Sequence, residues 1–110
     1  MADKNDPAEE LSPFAAPALL VLATLADGPK HGYAIMQEAE QLSGQSLGPG
    51  TLYAALARLE RRGLIEAVAS DYRRRPYRLT GLGTTALQAH LAQLRRFAGE
   101  ALQRLEGGAA

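Results

Sequence analysis

Cysteine and tryptophan are absent from this 110-residue chain, and only two histidines are present. Without cysteine there can be no disulfide, no thiolate metal site and no cysteine nucleophile. With His31 and His90 alone, a metal centre would have to rest on carboxylates, so neither metal nor cofactor is expected. Net charge is missing as well, with twelve basic residues balanced by twelve acidic ones. Aromatic residues make up 5% of the chain, four Tyr and two Phe, which gives no evident aromatic stacking pocket. No long apolar run occurs. The stretch from Phe14 to Ala26 falls short of the ~20 residues a membrane span needs. Asp3, Asp6, Glu9 and Glu10 precede it, the wrong sign for a secretory leader. A cytoplasmic setting with no membrane partner is therefore expected. A phosphate-cradling glycine loop, a nucleophile with a base and paired carboxylates are lacking too. An enzyme is not expected, and Gly48-Pro49-Gly50 reads as a turn.

The charge that is present is unevenly placed. Residues 1–12 carry Lys4 against four acids, whereas residues 51–80 carry Arg58, Arg61, Arg62, Arg73, Arg74, Arg75 and Arg78 against Glu60, Glu66 and Asp71. All the basic residues of that window are arginine, the side chain suited to phosphates and guanine edges. A basic patch thus sits inside a neutral chain.

The periodicity predicts a mainly helical chain with one small β-hairpin. Residues 1–12 read as a flexible polar tail. Pro17 suits a helix first turn, and Ala18 to Ala26 follows as a helix apolar all round, stopped by Asp27-Gly28-Pro29. Such a helix is buried or shared with a partner subunit. A second helix spans Gly32 to Ser43, with Tyr33, Ile35, Met36, Ala39 and Leu42 as its inner stripe and Gly44 as its stop. A third runs from Thr51 to Arg62 and closes at Gly63. Its residues Leu52, Ala55, Leu56 and Leu59 form a core face, so Thr51, Ala54, Arg58 and Arg61 point away. That outward face is small and polar first and basic later, as a helix whose first turn approaches base edges requires.

Strand-like runs at Leu64–Ala69 and Pro76–Leu79 flank a tip containing Arg73, Arg74 and Arg75. The arginines suit contact with a minor groove or phosphate backbone; keeping an exposed hairpin soluble is the plainer alternative. Thr80 is the expected N-cap of a last helix reaching Leu105, with Gly107-Gly108 opening a disordered tail. Leu87, Leu91, Leu94, Ala98, Ala101 and Leu105 recur near a heptad spacing, flanked by Phe97 and Leu102. This seam predicts a homodimer, with Leu19, Leu20, Leu22 and Leu25 of the first helix contributing. The expected organisation is a winged helix-turn-helix over residues 13–80, a C-terminal dimerisation helix over 81–106 and a tail over 107–110. His31 beside Gly32 reads as a cap or core contact, and His90 as a surface or interface residue. Tyr33 and Tyr53 fit either packing or contact with DNA.

Three segments together resemble the PadR family of bacterial transcriptional regulators: His31-Gly32-Tyr33-Ala34-Ile35; Gly48-Pro49-Gly50-Thr51-Leu52-Tyr53 continuing to Glu66; and Arg73-Arg74-Arg75-Pro76-Tyr77-Arg78-Leu79-Thr80 with Gly83 and Leu87. The chain departs from the family pattern at Ala54, at Pro76 and at the acid-free Gly81-Leu82-Gly83. The resemblance implies a winged helix-turn-helix that binds double-stranded DNA as a homodimer on a pseudo-palindromic operator, usually as a repressor. It implies DNA contacts from Tyr33, Gly50, Thr51, Tyr53, Ala54, Arg58, Arg61, Arg73, Arg74, Arg75 and Tyr77, with the Tyr53 hydroxyl on a phosphate. It also implies release by a signal, often a small aromatic or hydrophobic effector near the dimer interface. A winged-helix module that binds protein instead of DNA is the alternative, and the retained arginines argue against it.

Overall fold

A computed structural model describes residues 16–69 and 75–108. Helix α1 covers Pro17–Thr24 and tightens into a 3-10 turn at Leu25–Asp27, where the Leu25 N–H is shared among three carbonyls. Helix α2 spans Gly32–Ser43, α3 spans Pro49–Arg61 and α4 spans Gly81–Gly108. Strands β1 (Ile65–Ala67) and β2 (Tyr77–Leu79) pair antiparallel, with Ile65 opposite Leu79, Glu66 opposite Arg78 and Ala67 opposite Tyr77.

One core holds these elements. Helix α1 lies against α2, α3 and α4, and its Leu19, Leu20, Val21, Leu22 and Leu25 are buried with Ile35, Ala39, Leu52, Leu56, Leu59, Ile65 and Leu87. The all-round apolar character of α1 is thus spent inside the protomer. Leu19 and Leu22, expected at a dimer interface, are covered by the chain's own helices, a correction that follows from α1 being the central element. Thr24, the buried polar residue of this helix, donates its hydroxyl to the Val21 carbonyl at 2.8 Å.

On α2 only Ile35 and Ala39 are fully buried. Tyr33 lies about 160° around the helix from Ile35 at 100° per residue, so it belongs to the outer face rather than the inner stripe. Leu42, one turn beyond Ala39, is likewise exposed. Gly44 then closes the helix at φ 73°, a left-handed conformation where a side chain would be strained.

Helix α3 starts at Pro49, two residues before the expected Thr51, because Gly48 supplies the extended N-cap and proline suits a first turn. Its end is closed by Gly63 at φ 75°, with the Leu64 N–H reaching the Leu59 carbonyl at 3.0 Å. The strands are shorter than their apolar runs, three residues each, and Arg78 pairs across them with Glu66 at 2.8 Å. A third segment joins the wing. The Lys30 N–H donates to the Tyr77 carbonyl at 3.0 Å, and the Lys30 carbonyl accepts the Tyr77 N–H at 2.9 Å in return.

Thr80 caps α4 as expected: its Oγ1 accepts the Gly83 N–H at 3.0 Å while its hydroxyl donates to the Gly63 carbonyl at 2.6 Å. Cap and wing are therefore one joint. The helix runs through Gly107 and Gly108, where a tail was expected, since each glycine there costs only about 1 kcal/mol of helix propensity. Residues 1–15, 109–110 and the hairpin residues Arg73 and Arg74 lie outside the described residues. Among the described residues no helix is long and apolar enough to cross a membrane.

Candidate nucleic-acid interface

Helix α3 divides its residues cleanly. Leu52, Ala55, Leu56 and Leu59 anchor it in the core and leave the opposite side to solvent. On that side Thr51, Ala54, Arg58 and Arg61 are all exposed, as expected, and with Gly50 they line a shallow cleft of about 490 Å³. Pro17 at the start of α1 forms the facing wall. Among the described residues no acidic side chain lines this cleft, and both charges there are arginine. Their place in the last turn also sets two cations near the negative end of the helix dipole. Ala57, one turn after Ala54, is exposed as well and extends the small-residue surface. Sequence reasoning passed over it because an alanine carries no charge or motif.

The tyrosines lie on the other flank of α3. Tyr33 is 66% and Tyr53 57% exposed, which decides against packed rings for both. The Tyr53 ring lies across Gly32, where an added Cβ would stand 3.1 Å from its hydroxyl oxygen. The Tyr33 hydroxyl receives the Gln37 Nε2 donor at 3.1 Å. Tyr77, half-buried in β2, completes the group with Arg75 beside it, and together they line a cavity of about 670 Å³ between α2, α3 and the wing. Burial, then the nearby Glu60 charge and Tyr53, push the Tyr77 phenol above its ordinary pKa. It stays a neutral hydrogen-bond donor through the physiological range. Three of the aromatic residues judged too few for a stacking pocket are thus gathered at one place by tertiary packing, a correction that no linear spacing announced.

Below this face, Lys30 fixes the turn between α1 and α2. Its ammonium donates to the Thr24 carbonyl and to Asp27, with Glu38 at 3.5 Å. Burial opposes that charge, but the Asp27 hydrogen bond and the Glu38 and Asp27 charges outweigh it and raise the Lys30 pKa. The same bond and charge lower that of Asp27. His31 caps nothing with its side chain and stands exposed at the cavity edge. Among the described residues no group of three His, Asp or Glu is placed to hold a metal ion.

Of the seam on α4, Leu87 is buried and Leu94 packs on the core of its own protomer. Leu91, Phe97, Ala98, Leu102 and Leu105 are exposed, and Ala101 is half-buried.

A buried three-helix core, a hairpin wing and an exposed helix face that is small first and cationic later define a winged-helix protein of the kind that regulates transcription. The description "Transcriptional regulator PadR-like family" matches residues 21–89. The chain belongs to this family, whose members are DNA-binding regulators and not enzymes. It is 46% identical over 85 residues to a 37.1 kDa protein of transposon Tn4556 from Streptomyces fradiae, covering 77% of this chain but only 25% of that one. It is 38% identical over 91 residues to the transcriptional regulator Rv3488 of Mycobacterium tuberculosis, covering 80% of this chain and 84% of that protein. Among solved structures, a PadR family transcription regulator from hypervirulent Clostridium difficile R20291 superposes with a TM-score of 0.73 at 27% identity. The superposition covers 83% of this chain and 99% of that one.

Proposed function

We propose that this chain is a cytoplasmic, homodimeric repressor that binds a pseudo-palindromic operator in double-stranded DNA and is released by a signal. The observation that carries this reading is the exposed face of α3, where Gly50, Thr51 and Ala54 precede Arg58 and Arg61 in a cleft that, among the described residues, holds no acid. Small residues let the first turn approach base edges in the major groove, and the later arginines climb towards the phosphates. Arg73, Arg74 and Arg75 act from the wing, mainly through charge. Residues 13–80 form the reading head and residues 81–106 the dimerisation helix. Phe97 and Leu105 are 71% and 72% exposed on the apolar face of α4, which supports pairing with a second copy. A two-fold dimer would set two α3 helices about 34 Å apart, one turn of B-DNA. Occupying an operator excludes other proteins from it, hence repression.

Fluorescence anisotropy with duplex DNA tests the reading. Because neutralised phosphates release counterions, affinity should fall by orders of magnitude between about 50 and 200 mM salt. An affinity that ignores salt would contradict it.

A further inference from the structure

We propose that Lys30 is the positioning residue of the wing, gripping the hairpin with its main chain and two helices with its side chain. Strands β1 and β2 are three residues each, and a two-stranded ribbon of that size is marginal in water without support. Ile65, buried in the core, supports β1 just after the chain leaves α3. Strand β2 has β1 along one edge and Lys30 along the other, where Lys30 and Tyr77 exchange their N–H groups at 3.0 and 2.9 Å. That second edge is only as firm as the hold on Lys30 itself.

The Lys30 side chain supplies the hold. It is 15% exposed, and its ammonium donates to the Thr24 carbonyl at the end of α1 and to Asp27, with Glu38 of α2 at 3.5 Å. The last carbonyls of a helix lack donors within the helix, so the lysine satisfies one as it fixes the turn. The ammonium faces the protein, so its effect on DNA runs through the wing. Arg75 is exposed two residues before Tyr77, about 7 Å of extended chain, and the grip on Tyr77 therefore sets where this arginine stands. That consequence rests on the DNA-binding reading, whereas the grip itself does not.

Two changes of opposite charge release the same grip. Lys30→Met removes a cation. Asp27→Ala with Glu38→Ala removes two anions and leaves the ammonium facing the neutral Thr24 carbonyl. Amide hydrogen exchange reads the grip in DNA-free protein. Both variants should speed exchange of the Tyr77 N–H about tenfold relative to the Val68 N–H. Val68 bonds the Pro76 carbonyl at 2.8 Å inside the hairpin and would follow any general loss of stability. Fluorescence anisotropy with duplex DNA reads the consequence. Each variant should bind about eightfold more weakly at roughly 0.1 M salt and lower the salt slope by about one, the loss of one phosphate contact. Adding Arg75→Ala to either should then change little, since the contact is already gone. If Lys30, Asp27 and Glu38 act on DNA only as charges, Lys30→Met weakens binding while the double change strengthens it, which overturns the proposal. Parallel exchange of Tyr77 and Val68 overturns it too. Either failure leaves the operator reading standing as long as the parent binds duplex in a salt-dependent way. A Tyr77 amide released in both variants of a protein without DNA affinity would overturn the operator reading and leave the grip in place.

Discussion

Replacing Gly83 by alanine should dislocate the joint between the last helix and the wing. The first turn of α4 rests directly on the chain leaving α3, and a Cβ at Gly83 would stand 1.9 Å from the Leu64 carbonyl oxygen and 2.8 Å from its carbon. Even a close carbon–oxygen contact needs about 3.3 Å, so the backbones must part by roughly 1.4 Å. Neither group is the end of a flexible side chain, so the strain has no soft outlet. The displacement pulls on the Thr80 N–H bond to Leu64 at 3.2 Å and on the Thr80 hydroxyl bond to Gly63 at 2.6 Å. Overpacking of this kind costs about 1–3 kcal/mol, and a weakened hydrogen bond adds about 1 kcal/mol. A total near 3 kcal/mol should lower the melting temperature by about 12–24 °C in a domain of this size. Gly99 is the control, since it lies in the same helix with nothing within 4 Å of an added Cβ. Gly99→Ala should stabilise by about 0.5–1 kcal/mol. Thermal melts at one fixed protein concentration read both, because a dimer's melting depends on concentration. If Gly83→Ala melts within about 3 °C of the parent, the close approach does not hold α4 to the wing.

Phe97→Glu with Leu105→Glu should give a folded monomer by light scattering, because both side chains are exposed in the protomer while a dimer would bury them; an intact dimer would remove α4 from the interface. Leu94 is a poorer target, since it packs on the protomer's own core. Lys30→Met should destabilise near neutral pH and matter less in acid. Asp27, held below its ordinary 3.8, contributes above that value, and its share is lost as pH falls through the lowered pKa. The Lys30 share persists below 10.5 and is lost only as pH rises through its raised pKa. Urea midpoints of parent and variant near pH 7 and about pH 2 check this, and a gap that does not narrow in acid would refute it.

Much of the architecture could be read from local patterns, because each helix carries its own period and stop. Leu52, Ala55, Leu56 and Leu59 mark the buried side of α3 by spacing alone, and the outward face follows from geometry. Thr80 was legible as a cap because a threonine before an apolar period has few other uses there. Contacts between distant segments left no such trace. Lys30 joins the wing as a single bridging residue, too short for any strand pattern. Tyr33, Tyr53 and Tyr77 come from three different elements, so only packing brings them to one cavity. The apolar period of α1 could not distinguish a core from an interface, because burial by the same chain and by a partner require the same residues.

Selection of bound sequences from randomised duplex DNA bears most directly on which surface reads DNA. Four proteins are compared: the parent, Thr51→Ala, Ala54→Gln and Arg75→Ala. Thr51 and Ala54 stand in the early, exposed turns of α3, while Arg75 lies on the wing side, where the proposed role is through charge. The α3 changes should therefore alter which bases are enriched. Arg75→Ala should keep the parent's preferred sequence, bind all duplexes more weakly and reduce the salt slope by about one. Enrichment that Thr51→Ala and Ala54→Gln leave unchanged, with a new base preference in Arg75→Ala, would place the reading surface elsewhere than on α3.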